Sequence, residues 1–177
     1  MLNKLQATTG YSFWLLPDKY ASGIILTLIN RLSDSLSSPA FTPHITLSST
    51  PDSVSQNRLK SILEAFAGEN HSISVHTNKI VCGDPPFQRY YIALKPQDSF
   101  MTFSESMDSL LGGSYARRQN FHASIYYGFN SCEKMEEVYR RLDSEIPDKM
   151  YIQSIALVDI NGLPDMWKIV HRKDLLS

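Results

Sequence analysis

Two short stretches of alternating polar and apolar residues constrain the fold of this chain more than any other feature. Residues 41–48, FTPHITLS, carry apolar side chains at every second position, and residues 120–126, NFHASIY, repeat the pattern. An extended strand sends alternate side chains to opposite faces. The pattern therefore predicts two half-buried strands. One presents His44 and Thr46 on its polar face, and the other presents His122 and Ser124.

The elements around these strands recur in the same order in both halves of the sequence. Each half has an aromatic-rich strand, a helix with apolar residues at helical spacing, and then the histidine strand. The interval from Leu16 to His44 is 28 residues, and so is the interval from Leu94 to His122. This repetition indicates an internal duplication in which the two histidines share one site. The first strands are predicted at residues 11–16 and 89–94, and the helices at about 21–36 and 99–111.

The rest of the chain continues the alternation of helices and strands. A capping box from Ser53 to Gln56 predicts a helix that ends near Gly68. The apolar spacing of Met135, Val138, Tyr139 and Leu142 predicts another helix after the second histidine strand. Further strands are predicted at residues 72–77, 79–82, 154–160 and 166–172, with a turn at 161–162 before the last of them. The expected fold class is α+β.

Composition limits the function classes. The chain has 177 residues, 42% of them hydrophobic, and its 17 basic and 18 acidic side chains give a formal charge of −1. This balance argues against non-specific binding to long nucleic acid or to an anionic membrane. No apolar run approaches the ~20 residues of a membrane span, and the polar N-terminus does not resemble a signal peptide. Cys82 and Cys132 lack the close spacing of a zinc or redox motif, so we expect inert thiols in a reducing intracellular compartment.

With these motifs, the chain resembles the two-histidine phosphoesterase superfamily. His44-Ile45-Thr46 and His122-Ala123-Ser124, one in each half, match its paired signature. Within the superfamily the chain is most similar to the small fungal and plant cyclic phosphodiesterases. The aromatic strand with Trp14, the approach FTPH at residues 41–44 and Tyr127, five residues after the second histidine, fit that group as well.

The resemblance implies a fold and a set of site residues. It implies one bilobal domain over residues 1–177, whose halves cover about 1–82 and 83–177, with two pseudo-symmetric lobes. Each lobe would be an antiparallel sheet flanked by helices, and the signatures would face a central cleft. It further implies that His44 and His122 are catalytic and that Thr46, Ser124 and Tyr127 bind the substrate's phosphate. Strict alternation would instead place Tyr126 on the histidine face, so choosing Tyr127 requires a bend or bulge after Ser124.

The chemistry of cyclic phosphodiesters explains these residue types. Opening the ring requires one group that deprotonates water and, in line on the other side of phosphorus, one that protonates the leaving oxygen. Histidine performs either task near neutral pH, although the two motifs do not reveal which is base and which is acid. Hydroxyl groups on the same face can hold the non-bridging oxygens. We expect no metal and no cofactor, because the sequence lacks His-Glu-x-x-His, Cys-x-x-Cys and a dense carboxylate cluster.

Other candidate residues have structural alternatives. His71, His76 and His171 lack a hydroxyl partner and are expected to be structural or solvated. A basic pair at residues 117–118 could meet a second phosphate, although such loop pairs are more often solvated. Phe87, in a Pro-rich loop, is a candidate for stacking on a base, whereas core packing is the stronger interpretation of Trp14.

By resemblance, the substrates are small cyclic-phosphate nucleotides. They are ADP-ribose 1″,2″-cyclic phosphate, opened to ADP-ribose 1″-phosphate downstream of tRNA splicing, and nucleoside 2′,3′-cyclic phosphates, opened to the 2′-phosphates. The alternatives are an enzyme of the same superfamily that acts on RNA ends or 2′–5′ linkages, and a non-catalytic nucleotide-binding module. We expect a monomer without a membrane span, cytoplasmic or associated with an internal compartment such as the Golgi.

Overall fold

A computed structural model describes residues 4–112 and 120–177, apart from the side chains at positions 134, 135, 138 and 139. Within these ranges the chain has four α-helices and seven strands. Their order follows the sequence prediction, except that the two strands expected at residues 72–77 and 79–82 form one strand, Ile73–Cys82. The strands are β1 Tyr11–Pro17, β2 Ile45–Thr50, β3 Ile73–Cys82, β4 Tyr90–Leu94, β5 His122–Tyr126, β6 Lys149–Asp159 and β7 Lys168–Asp174. The helices are α1 Lys19–Leu36, α2 Gln56–Glu69, α3 Asp98–Leu111 and α4 Cys132–Leu142.

All of the paired strands run antiparallel, in the order β1-β2-β5-β4-β3-β6-β7. A further pairing of β1 with β6 closes the first six strands into a ring, and β7 lies outside it against β6. β2 and β5, which carry the histidine motifs, meet at one register position, Ile45 opposite Ala123. The two motifs therefore face each other across a narrow junction in the sheet.

The mixture of helices and antiparallel strands confirms the α+β class. The strands, however, do not separate at residue 82 into one sheet for each half of the sequence. β3 pairs with β4 of the second half, and β6 pairs with both β3 and β1. The two ends of the long strand β6 pair with different strands. Met150 lies opposite Val75 of β3, whereas Leu157 lies opposite Phe13 of β1.

The helices cover an apolar core, and α1 and α2 begin at side-chain caps. The carboxylate of Asp18 accepts hydrogen bonds from the backbone amides of Tyr20 and Ala21 and so caps α1. Ser55 caps α2, accepting from the amide of Arg58 at 3.4 Å, so the expected cap at Ser53 is wrong by two residues. Within the described ranges no helix has the length and apolar character needed to cross a membrane.

The prediction for the two cysteines is wrong. Cys82, at the end of β3, and Cys132, at the start of α4, form a disulfide with their Cα atoms 5.9 Å apart. Fifty positions separate them in the sequence, and the contact of α4 with β3 brings them together. Spacing alone could not reveal this pairing. The pairing also removes the support that unpaired thiols gave to a reducing compartment.

Candidate active site

A β-bulge follows the first histidine motif. Phe13 of β1 lies opposite Ser48, but the next residue, Trp14, lies opposite Thr46, which leaves Leu47 as an extra residue in β2. The extra residue resets the alternation of the strand. Cross-strand partners share a face, so Trp14 lies on the same side of the sheet as the hydroxyl of Thr46.

The second motif is followed by a bulge at the equivalent place. Tyr90 of β4 lies opposite Tyr126, and Tyr91 lies opposite Ser124, which leaves Ile125 as the extra residue in β5. The bend that we expected after Ser124 is therefore present. In each half an aromatic residue on the neighbouring strand pairs with the motif's hydroxyl residue, which supports the duplication inferred from the sequence.

The structure brings the four motif residues together around one cavity of 180 Å³. Thr46 lies on β2, and His44 is the residue directly before that strand. His122 and Ser124 both lie on β5. The predicted shared site is thus present as a geometric arrangement. The cavity is completed by Thr8, Ser12, Trp14, Ser49, Phe87, Gln88, Ile160 and Trp167.

Both imidazoles are oriented by the same backbone contact. The Nδ1 atom of His44 lies 2.6 Å from the carbonyl oxygen of Thr42, and that of His122 lies 3.0 Å from the carbonyl oxygen of Asn120. A carbonyl oxygen can only accept a hydrogen bond, so each Nδ1 carries a hydrogen and donates it. In the neutral ring the unprotonated nitrogen is then Nε2. This arrangement prepares both rings to exchange a proton through Nε2.

The surroundings of the two rings differ. His44 is 3% exposed and lies parallel to the indole of Trp14, with ring centroids 3.6 Å apart. His122 is half-buried, and its ring centroid lies 4.7 Å from that of Tyr91 at an angle of 51°. The two motifs are therefore related in backbone position but not in solvent access.

The hydroxyl of Ser124 is tied to the loop between β3 and β4. It donates a hydrogen bond of 3.2 Å to the carbonyl oxygen of Phe87, so it must rotate before it can donate to a phosphate oxygen. Arg89, at the end of this loop, stabilises it. Its guanidinium donates hydrogen bonds to the carbonyl oxygens of Asn130 at 2.5 Å and Gly83 at 2.8 Å. Phe87 lines the cavity, as a base-stacking role requires.

Tyr127 and Tyr126 are both buried in the core, and neither lines the active-site cavity. Tyr127 is 4% exposed, its ring stacks on Phe41 with centroids 3.9 Å apart, and it also contacts Phe87 and Trp167. Burial raises the pKa of the Tyr126 phenol, and the positive charge of Arg89 partly opposes that effect. Tyr127 thus contacts two residues that line the cavity, Phe87 and Trp167, and its expected role in phosphate binding stays a prediction.

Several cavity residues were absent from the sequence prediction. Trp167 comes from the turn before β7, and its indole Nε1 donates to the hydroxyl of Thr8 at 3.0 Å. Ser12 and Ser49, opposite each other on β1 and β2, share a hydrogen bond of 3.2 Å. Ser49, not Ser48, lines the cavity because the bulge at Leu47 shifts the alternation.

The other candidates from the sequence analysis lie away from the active-site cavity or outside the described residues. The basic pair at residues 117–118 is outside the described residues. His71 contacts the carbonyl oxygen of Ser177, and His171 binds the carboxylate of Glu64 at 2.6 Å. That hydrogen bond, with one from Lys173, lowers the pKa of Glu64. In the described part of the chain, no three His, Cys, Asp or Glu side chains are grouped so that they could hold a metal ion.

The fold agrees with those of several solved structures. LigT of Escherichia coli superposes with a TM-score of 0.60 at 10% identity, covering 97% of this chain and 100% of LigT. A protein of Thermus thermophilus superposes with a TM-score of 0.63 at 8% identity, covering 94% and 98% of the respective chains. LigT complexed with 3′-AMP gives a TM-score of 0.56 at 11% identity, with coverage of 97% and 100%. At these identities the likeness shows a shared fold.

This fold, with one His-x-Thr and one His-x-Ser motif at a common cavity, defines a two-histidine phosphoesterase. The sequence model of the family described as cyclic phosphodiesterase-like protein matches residues 9–111, and the chain belongs to that family. The matched segment contains the first motif and ends before the second. No curated protein sequence matches the chain. The chain is thus a phosphoesterase of the kind that acts on phosphodiesters or cyclic phosphates.

Proposed function

We propose that this protein is a metal-independent hydrolase that opens cyclic phosphodiesters of small nucleotides. Its substrates would be ADP-ribose 1″,2″-cyclic phosphate and nucleoside 2′,3′-cyclic phosphates, and the first would connect it to the cyclic phosphate left after tRNA splicing. One observation carries the proposal. His44, Thr46, His122 and Ser124 line the same cavity, and both imidazoles donate Nδ1–H to a backbone carbonyl.

The proton transfers follow from the tautomer that these contacts impose. One histidine, neutral, accepts a proton from water at Nε2 while the water oxygen bonds to phosphorus. The other, protonated, gives its Nε2 proton to the ring oxygen as the bond from phosphorus to that oxygen breaks. The product is a phosphomonoester and a hydroxyl group, and the two histidines have exchanged protonation states. A proton exchanged with solvent restores the starting pair.

The hydroxyl residues have the task of holding the phosphoryl group between the two rings. Thr46 and Ser124 lie two residues beyond His44 and His122 on the two motif strands and share their cavity. Hydrogen bonds from hydroxyls to the non-bridging oxygens stabilise the charge that the transition state redistributes. Ser124 would exchange its present acceptor, the carbonyl oxygen of Phe87, for a phosphate oxygen.

The solved complexes of LigT support a nucleotide as substrate. LigT has been solved with 3′-AMP, ATP, NADP⁺ and phosphate, so the same fold holds small nucleotides in another protein. In the present chain, Phe87 and Trp167 line the cavity and are only partly buried, so they offer aromatic surface on which a base can stack. A small nucleotide is therefore the ligand class that the cavity suits.

A panel of cyclic phosphates would test the proposal. The purified protein is incubated with ADP-ribose 1″,2″-cyclic phosphate, the four nucleoside 2′,3′-cyclic phosphates and a 2′–5′-linked dinucleotide, and products are identified by phosphorus NMR. We expect ADP-ribose 1″-phosphate and nucleoside 2′-phosphates. Cleavage restricted to the 2′–5′ linkage would contradict the proposal, and stoichiometric binding without product would instead indicate a binding module.

A further inference from the structure

A second cavity adjoins the candidate active site beyond His122. Its volume is 320 Å³, and His122 lines both this cavity and the active-site cavity. The remaining wall comes from β4, the start of α3 and the residues before β5, and it includes Tyr91, Lys95, Met101 and Phe121. We call it the β4–α3 cavity. A molecule bound at the histidines can therefore extend past His122 into a second cavity, which is partly open to solvent.

The apolar walls of the β4–α3 cavity suit a flat ring. The ring of Tyr91 lies against the imidazole of His122, and the ring of Phe121 stacks on that of Phe100 with centroids 4.6 Å apart. Met101 lines the same cavity and is 41% exposed, so its thioether is accessible to a ligand. Aromatic faces and a thioether form a surface on which a nucleobase can lie.

The polar part of the wall suits a phosphate group. Lys95 directly follows β4, and the hydrogen bond from its backbone amide to the carbonyl oxygen of His76 fixes its position. Its side chain is exposed and lines the cavity, as does Asn120. A lysine ammonium is a compact positive charge that binds phosphate oxygens from any direction. The cavity thus combines a cation with aromatic surface next to a catalytic histidine.

The sizes of the two cavities indicate how they divide a substrate. Pockets that hold drug-sized ligands have volumes of about 300–1,000 Å³. The active-site cavity, at 180 Å³, falls below this range, and the two cavities together fall within it. The active-site cavity alone can enclose a cyclic phosphate with its sugar, and a second nucleotide unit needs further space. The β4–α3 cavity offers that space on the His122 side.

We propose that the β4–α3 cavity binds the nucleoside diphosphate part of a dinucleotide-sized cyclic phosphate. Lys95 contacts the diphosphate, and the base lies against Tyr91, Phe121 and Met101. This inference rests on the proposed function and assigns the larger of its two substrates, ADP-ribose 1″,2″-cyclic phosphate, to a specific surface. Mononucleoside 2′,3′-cyclic phosphates, which lack the diphosphate and the second nucleoside, would bind without contacting the β4–α3 cavity.

Substitution of Lys95 should affect the larger substrate, ADP-ribose 1″,2″-cyclic phosphate, and not a mononucleoside cyclic phosphate. In Lys95→Gln we expect kcat/KM for ADP-ribose 1″,2″-cyclic phosphate to fall about five- to tenfold through a higher KM, because a charged contact away from the reacting atoms contributes uniform binding. Adenosine 2′,3′-cyclic phosphate should change less than twofold. Met101→Ala should follow the same pattern. Lys19→Gln, which removes an exposed lysine at the start of α1, is the matched control and should leave both substrates unchanged.

Two further measurements make the outcome decisive. A dinucleotide that ends in a 2′,3′-cyclic phosphate distinguishes a diphosphate from an RNA-like linkage, and dependence on Lys95 for that substrate alone would overturn the inference. Calorimetric binding of ADP-ribose should weaken about five- to tenfold in Lys95→Gln. Equal effects of Lys95→Gln on both cyclic phosphates, or unchanged ADP-ribose binding, would also overturn it. Absence of turnover with every substrate would reject the proposed function. The calorimetric measurement of ADP-ribose binding would still test whether the β4–α3 cavity binds a nucleoside diphosphate.

Discussion

The imidazole of His44 lies flat against the indole of Trp14, with ring centroids 3.6 Å apart and an angle of 5° between the planes. Trp14 is itself held by β1, which pairs with β2 on one side and β6 on the other. Trp14 also forms a T-shaped contact with Trp167, at 5.8 Å between centroids. A buried aromatic surface therefore fixes the plane of the His44 ring, while the bond to the carbonyl oxygen of Thr42 fixes its rotation.

This contact predicts that Trp14 is needed to orient His44. Trp14→Leu removes a stacked pair of a kind that contributes about 0.5–1.5 kcal/mol, and the unsupported ring should lower kcat about tenfold. Trp14→Phe keeps an aromatic surface and should lose less. Steady-state kinetics on adenosine 2′,3′-cyclic phosphate measure the effect, with urea unfolding as a check on stability. Equal activity of a folded Trp14→Leu variant and the parent would contradict a positioning role.

The two histidines should act as one catalytic unit. His44→Ala or His122→Ala removes a proton-transfer group, and each should lower kcat by about 10²–10⁴-fold. The double variant should be far less impaired than the product of the single losses, because either substitution already disables the concerted transfer. Kinetics of the four proteins form a double-mutant cycle. A full multiplicative loss would show that the rings do not work at the same phosphorus atom.

The local arrangement of the site could be predicted from the sequence because it depends on strand alternation. His44 with Thr46, and His122 with Ser124, lie two residues apart, so one extended segment is sufficient to place each pair on one face. The bend after Ser124 was also expected, because the family resemblance assigned Tyr127 to the site whereas strict alternation assigned Tyr126. What alternation could not provide is the effect of the equivalent bulge in β2, which brings Ser49 to the cavity in place of Ser48.

Contacts between distant parts of the chain could not be predicted in this way. Trp167 reaches the cavity because β7 pairs with β6, and β6 pairs with β1. Its bonding partner, Thr8, is 159 positions away in the sequence. The pairing of Cys82 with Cys132 likewise depends on where α4 packs. The sequence around each cysteine does not indicate which residue it pairs with.

The disulfide should stabilise the fold and influence the loop that carries Phe87. Cys82 directly precedes this loop, and the bond closes a segment of about 50 residues, for which a contribution of about 2–4 kcal/mol is typical. Cys82→Ser/Cys132→Ser should lower the free energy of unfolding by that amount, as measured by urea denaturation. A reducing agent should destabilise the parent and leave the double variant unchanged. Parent stability that is insensitive to both changes would argue against the bond in solution.

Removal of metal ions should not affect activity. The proposed mechanism assigns both proton transfers to imidazole nitrogens and the handling of charge to hydroxyl groups, so no step requires a Lewis acid. Prolonged dialysis against EDTA should leave kcat/KM unchanged, and added zinc, magnesium or manganese should not raise it. A chelator that abolishes turnover, with recovery on addition of one divalent ion, would replace this mechanism with a metal-assisted one.

The pH dependence tests the division of labour between His44 and His122. One ring must be neutral to accept a proton from water and the other protonated to donate one, so only the singly protonated pair is productive. The profile of kcat/KM should therefore be bell-shaped, with limbs that belong to the coupled pair and not to either residue. In His122→Gln, whose amide cannot exchange a proton, one limb should disappear from the residual activity, and His44→Gln should behave in the same way.

A profile that is flat from about pH 5 to pH 9, with the chemical step shown to limit the rate, would show that neither histidine transfers a proton in the reaction. The fold and the cavity would stand unchanged, since they rest on strand pairing and burial, but the catalytic groups would have to be sought among the hydroxyl residues.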